Sequence, residues 1–298
     1  MGMSYRTQKQ VIPYLFLLPA ITLFAIFLVY PLVKGFQMSF YSWAIMPGKA
    51  STFIGLENYI QAFQDPVVGV AFRNTLIYTL VTVPGQMILA MLAALLINAI
   101  TRGKIFFRTL YYIPVITSWV IVSLLFRYLF QSPEGLINYF LVEVFHIFSE
   151  PIPWLQQAAT AMIPINGLGI WKGIGWSMII YIAALESIPK ELLEAASIDG
   201  ATTWQRFRNV TLPLISPTIV FTLVMLMIGG FNVFISVFLI TNGGPMQQTE
   251  VMLSYMYHQA FDFINFGYGA ALAFLMAILI IILSYLQMKY LRRPEEIS

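Results

Sequence analysis

Five stretches of this chain run too long without a charge for a water-soluble fold to accommodate. Lys9 and Lys34 enclose 24 uncharged residues, Arg73 and Arg102 enclose 28, Arg108 and Arg127 enclose 18, Asp262 and Lys289 enclose 26, and Arg208 and Glu250 enclose 41. About 20 apolar residues in helical form cross a bilayer, so the first four are read as single spans. Thr241, Asn242, Gly243, Gly244 and Pro245 interrupt the fifth, which is read as one helix from about Leu214 to Ile240 with a loop after it. Pro164 to Leu185, uncharged apart from Lys172, makes a sixth. Composition agrees, with 59% hydrophobic and 10% charged residues and a mean hydropathy of +0.79, against about 25% charged for a soluble domain. The fold class is therefore an all-α, six-span membrane protein; a disordered chain, a coiled coil and a nucleic-acid module are excluded. The absence of cysteine removes disulfides, thiolate metal sites and thiol nucleophiles.

Lysine and arginine set the expected orientation. With the N-terminus inside, eleven basic residues fall on the inner side (Arg6, Lys9, Arg102, Lys104, Arg108, Lys190, Arg206, Arg208, Lys289, Arg292 and Arg293) and four outside (Lys34, Lys49, Arg73 and Arg127). Both termini then face the cytoplasm, and the net charge of +3 is a topology signal. The first span begins late and runs long for a cleaved leader, so it is read as a retained helix. Between spans three and four, Leu136, Ile137, Phe140, Leu141, Val144, Phe145 and Phe148 recur at helical spacing among Glu134, Glu143, His146 and Glu150. That pattern suits a short helix on the membrane surface or against the bundle.

The cytoplasmic connection between spans four and five, residues 186–213, has helical punctuation of its own. Pro189 suits a first helical position, Glu191 and Glu194 suit the positive end of a helix, and Gly200 is the natural left-handed stop after Ile198 and Asp199. Thr202 and Gln205 have capping-box spacing for a second short helix carrying Trp204 and Phe207, which Pro213 separates from span five. Ala195 and Ala196 beside Leu192 and Leu193 leave backbone accessible to another protein surface, although a connector lying on the bilayer would look the same.

Glu194-Ala195-Ala196, then Gly200 after three residues, Val210 after nine more, and Leu212-Pro213 resemble the EAA loop of permease subunits in ATP-binding-cassette importers, with Val210 in place of the usual isoleucine. Pro13 to Pro19, Tyr30-Pro31-Leu32, Gly55 to Tyr59, Arg73 to Leu76, and Thr241 to Pro245 with Thr249 extend the likeness over nearly the whole chain, towards the larger permease of maltose-type sugar importers. The resemblance implies a type I importer permease: residues 1–70 as the tail, first span and external segment, 71–291 as the core with its coupling loop, and 292–298 as a cytoplasmic tail. It implies ATPase coupling through Glu194, Ala195, Ala196, Gly200, Val210, Leu212 and Pro213. The implied partners are a homologous second permease, two ATPase subunits that bind ATP and magnesium, an extracytoplasmic solute-binding protein, a sugar substrate and the lipid bilayer. No cofactor is expected in this chain, and its external loops carry no large inserted domain.

Lys172 is the one charge well inside a span, where charge is costly and marks a bundle interior or water. It lies in Gly169-Ile-Trp-Lys-Gly-Ile-Gly-Trp176, in which Gly169 and Gly173 have the spacing of a close helix contact. On the residues alone, two readings stay open. The glycines pack, Trp171 and Trp176 anchor at an interface and Lys172 snorkels outward; or the indoles stack on sugar rings while Lys172 bonds hydroxyls or an anionic group. The resemblance implies the second, with Trp171, Gly173 and Trp176 in the stretch that lines the sugar pocket of maltose-type permeases, Lys172 a departure from its neutral pattern, and Asn232 of span five a further contact. Asn232 also suits structural glue between helices. Arg127 reads as a snorkelling residue, and Asn58 and Asn74 need no functional reading. The chain has no GxxxxGK[ST] phosphate loop, no metal spacing around His146 and His258, which stand 112 residues apart, and no acidic residue inside a span. It therefore needs a separate motor and is not expected to be an enzyme.

Overall fold

The computed structural model describes residues 5–45 and 50–291, with side chains over 14–45 and 50–290. Lys49, Arg292, Arg293 and the expected tail at 292–298 lie outside the described residues. Contacts divide the chain into two units, residues 1–64 with 256–275, and residues 65–255 with 276–298.

In the first unit, α1 (Tyr5–Phe24) continues through a wide turn at Ala25–Val29 into α2 (Tyr30–Met38). A two-stranded antiparallel ribbon follows, β1 (Tyr41–Ser42) against β2 (Thr52–Phe53) with Tyr41 opposite Phe53, and then α3 (Glu57–Gln64). The Asn58 amide donates to the carbonyls of Ser39 at 2.8 Å and Tyr41 at 3.2 Å. Its role is thus to terminate α2 against α3.

The second unit is built on α4 (Pro66–Ala99) and α8 (Ala158–Glu186), whose 34 and 29 residues rise about 51 and 44 Å, enough to cross with tilt. Asp65 caps α4 by accepting from the Val67 amide at 2.9 Å, ahead of Pro66. The faces are inverted relative to a soluble protein. Leu80, Ile88 and Leu96 of α4 are exposed, while Thr75, Thr79, Thr82 and Gln86 are buried. Each threonine hydroxyl returns its proton to the carbonyl four residues earlier, at 2.7–2.8 Å, so the stripe is satisfied without water. Glycines set the approach of the two helices: a Cβ on Gly169 would stand 2.4 Å from the Tyr78 hydroxyl, and one on Gly173 would stand 2.1 Å from the Gln86 carbonyl oxygen. Gln86 uses the space to donate to the Gly173 carbonyl at 2.8 Å and the Ser177 hydroxyl at 2.7 Å.

The third crossing is not one straight helix. α5 (Lys104–Ile116) and α6 (Trp119–Leu129) are bent by 90° at Thr117 and Ser118; among the described residues five helices are long and apolar enough to cross a membrane, and six if the bent pair counts as one span. Pro114 removes an amide from the last turn of α5, and Thr117 is extended with ψ 148°. Span five is interrupted as well: α12 (Ser216–Phe231) stops at Asn232, and α13 (Ile235–Ile240) restarts after Phe234. The segment expected as a helix over Leu136 to Phe148 forms α7 (Leu136–Tyr139) and a wide turn to Val144, and His146 beyond it takes a left-handed φ of 48°. After α13, the Asn74 amide donates to the carbonyls of Gln248 at 2.7 Å and Glu250 at 2.9 Å, and the Met252 amide donates to the Thr75 hydroxyl at 2.9 Å. The turn after α13 is thereby tied to α4. α14 (Met252–Tyr257) and α15 (Phe266–Leu291) complete the chain.

Candidate functional site: coupling loop and central cavity

The loop at 186–213 forms three short helices, α9 (Lys190–Ile198), α10 (Thr203–Arg206) and α11 (Leu212–Leu214), the last two joined by a wide turn at Phe207–Thr211. Pro189 stands one place before the first helical position, with ψ 128°, because its extended backbone turns the chain from α8 into α9. Gly200 has φ +77°. Around it the Ala201 amide donates to the Ala196 carbonyl at 3.0 Å and the Gly200 amide to the Ser197 carbonyl at 3.1 Å, the two bonds of a Schellman stop. The Thr202 hydroxyl accepts from the Gln205 amide at 3.3 Å, and the Thr202 amide donates to the Gln205 side chain at 2.7 Å, closing the capping box. Arg206 donates to the Ser197 hydroxyl at 2.7 Å and ties the helices together. Pro213 does not make the break before span five. The helical run from Thr203 continues through it as far as Leu214, and the break falls at Ile215.

The roots of this loop are buried and its tip is not. Ile188 and Ile215 pack into a core cluster with Leu185, Ala90, Ala93 and Ala94. Val210, Leu212 and Pro213 are half-buried, Glu194, Ala195 and Gly200 are exposed, and Ala196 is half-buried. Ile198, 87% exposed, and Trp204, 66% exposed, leave apolar surface beside Glu194 and Ala195. An ion pair between Arg108 and Glu186 joins the start of α5 to the end of α8, at the entrance to the loop.

A cavity of about 240 Å³ lies among α4, α5, α6, α8 and α12, lined by Tyr78, Thr82, Gln86, Trp119, Lys172, Gly173, Trp176, Gly229 and Gly230 among others. Of the residues singled out from sequence, it brings together Gly169, Lys172, Gly173 and Trp176. Trp171, 43% exposed, stands outside it and packs on Phe126 with centroids 5.9 Å apart. Asn232 is exposed outside it too, donating to the Ile228 carbonyl at 2.8 Å at the end of α12. Lys172 does not snorkel outward: it is 3% exposed, and its ammonium donates to the carbonyls of Pro114, Val115 and Thr117. Arg127, in the last turn of α6, donates to the Leu239 carbonyl at 3.4 Å. Sequence reasoning missed Tyr78, Thr82, Gln86 and Trp119. The first three recur every four residues on one face of α4, a polar stripe inside an apolar helix, and that periodicity was the available signal.

Residues 86–294 match the model of the binding-protein-dependent transport system inner membrane component. The chain belongs to this family. It is 33% identical over 292 residues to a probable ABC transporter permease protein, YurN, of Bacillus subtilis, covering 97% of this chain and 99% of the relative. It is 35% identical over 278 residues to the lactose transport system permease protein LacF of Rhizobium radiobacter, covering 92% of each. It is 32% identical over 284 residues to the sn-glycerol-3-phosphate permease protein UgpA of Yersinia pestis, covering 95% of this chain and 94% of that one. Among solved structures, a bacterial ABC transporter that imports the acidic polysaccharide alginate superposes with a TM-score of 0.83 at 27% identity, over 98% of this chain and 99% of that one. The same kind of transporter in complex with an alginate-bound periplasmic protein gives 0.84 at 27% identity, over 99% of both chains. The chain is thus a multi-pass permease subunit of an ABC importer, with the type I importer fold.

Proposed function

We propose that this permease moves a sugar or oligosaccharide, handed over by an extracytoplasmic solute-binding protein, through a pore it shares with a homologous second permease in a bacterial cytoplasmic membrane. Both termini face the cytoplasm. ATP, with its magnesium, is bound and hydrolysed on two partner ATPase subunits, which dock at Glu194, Ala195, Ala196 and Gly200 through a loop rooted at Val210, Leu212 and Pro213. The observation that carries the reading is the build of that loop: a Schellman stop and a capping box make its helices one stiff piece, and Ile188 and Ile215 root that piece in the core between α4 and α8. A displacement at the exposed tip is therefore delivered to the helices around the cavity, and ATPase closure tilts them between outward and inward openings.

Sugar is favoured by the relatives that carry lactose and arabino-oligosaccharides, and by a cavity whose lining combines Trp119 and Trp176 with Tyr78 and Thr82. A glycerol phosphate ester, as in UgpA, would require a cation free to meet it, and the ammonium among the described lining residues is taken up by three carbonyls. Gly173 and Trp176 form the wall of the pathway. Trp171 and Asn232, exposed on the single subunit, extend it where the second permease closes the pore. The test is the reconstituted complex in liposomes, with ATPase activity and uptake measured against binding protein loaded with a saccharide panel. Stimulation by one or more saccharides is expected. Purification without ATPase subunits, or stimulation by a phosphate ester alone, would refute the proposal.

A further inference from the structure

The break in the third crossing poses a problem that one side chain solves. A helix that stops inside a bilayer leaves its last carbonyls without amide partners, and hydrocarbon supplies none. At the end of α5 the carbonyls of Pro114, Val115 and Thr117 accept from the Lys172 ammonium at 2.6, 3.3 and 2.7 Å. An ammonium has three protons and no acceptor, so these bonds use its whole donor capacity. Its charge sits at the negative end of the α5 dipole, and the Trp119 ring lies over it with the centroid 4.9 Å away.

The neighbours extend the same attachment. A Cβ on Gly175 would stand 2.1 Å from the Tyr111 carbonyl oxygen, so α5 and α8 approach as closely as backbone allows, and the Arg108–Glu186 pair closes their inner end. Beyond the break the partner changes: α6 packs mainly on α13. Trp119, the first residue of α6, lines the cavity.

We propose that Lys172 is a positioning residue for transport: its ammonium ties the break between α5 and α6 to α8, holds Trp119 in the cavity wall, and does not contact the transported solute. This rests on the importer reading, but its first test does not depend on uptake. The chain has no cysteine, so spin labels at Ile105→Cys and Tyr128→Cys, both exposed in α5 and α6, report the bend alone. Arms of about 17 and 14 Å meeting at 90° set the two ends roughly 22 Å apart, and opening the bend by about 20° adds about 3 Å.

In the full importer complex, Lys172→Met should lengthen that distance by about 3 Å or broaden its distribution. Uptake of neutral and anionic saccharides should fall by one common factor of about ten, leaving their ratio unchanged. Lys172→Arg, which keeps charge and donors, should restore both the distance and most of the uptake. A changed ratio between neutral and anionic saccharides overturns the proposal whatever the distance shows, and so does a wild-type distance in Lys172→Met. Should that variant not accumulate, Lys172→Gln is read by the same two criteria. A wild-type complex that takes up no saccharide defeats the sugar assignment and leaves the distance result standing.

Discussion

Replacing Gly200 by valine separates backbone conformation from every other contribution to coupling. Its φ of +77° lies in the left-handed region, and a Cβ built there meets nothing within 4 Å. Sterics against neighbours therefore cost nothing, and the whole effect is the penalty of holding an L-residue left-handed, about 1–2 kcal/mol and more for a β-branched side chain. The bonds at stake are the Ala201 to Ala196 and Gly200 to Ser197 pair. Losing the turn frees α9 from α10 and lowers the ratio of loops in docking geometry to loops out of it by about 5- to 30-fold. Insertion should be unaffected, because Ile188 and Ile215, buried in the core, hold the roots. The assay is uptake, together with ATPase stimulation by loaded binding protein, in complexes matched for permease content. Gly200→Asn is the control, since asparagine tolerates the left-handed region, and it should lose threefold or less. Normal uptake by Gly200→Val would refute the lever. Equal loss in Asn and Val variants would show that bulk against a docked partner, and not conformation, is what the site excludes.

Other outcomes follow from the same geometry. Trp176→Ala removes an indole from the cavity wall and should raise the apparent KM for saccharide several-fold while ATPase subunits still copurify, checked by uptake kinetics and pull-down. Gly175→Ala forces a Cβ against the Tyr111 carbonyl, and overpacking against backbone should cost about 1–3 kcal/mol, read as a lower thermal midpoint in detergent. Gly167→Ala on the same helix, with nothing within 4 Å, should be neutral or slightly stabilising, and equal losses at the two positions would refute the packing account. Thr202→Ala removes the capping box and should cost about 1 kcal/mol locally, seen as faster amide exchange in α10 with the spans unchanged.

The parts of the molecule legible in the sequence are those whose causes are local. Gly200 as a left-handed stop and Thr202 with Gln205 as a cap hold in the structure, because each depends on residues at most a few positions apart. Charge-free runs located the crossings for a similar reason: the hydrocarbon thickness acts on each segment separately. What stayed illegible depends on partners distant in the chain. Pro114, near Thr117, announces a weak point in α5 but not a right-angle bend, because the residue that makes the bend tolerable is 55 positions later, and nothing near Lys172 says that carbonyls will meet it. The polar stripe of α4 was visible but weak, since a threonine can satisfy itself on its own helix.

These two facts bear on how a lone intramembrane charge should be read. Such a residue is costly enough to demand a compensating group, and the group is conventionally sought in a solute, an ion or another charged side chain. Here the compensation is backbone: a broken helix supplies carbonyls in want of donors, and one ammonium supplies three. The break then becomes possible at a depth where hydrocarbon would forbid it, and it brings an aromatic residue, Trp119, to the cavity from a crossing that would otherwise run straight past it. The charge marks the function of the site at one remove, through the shape it permits.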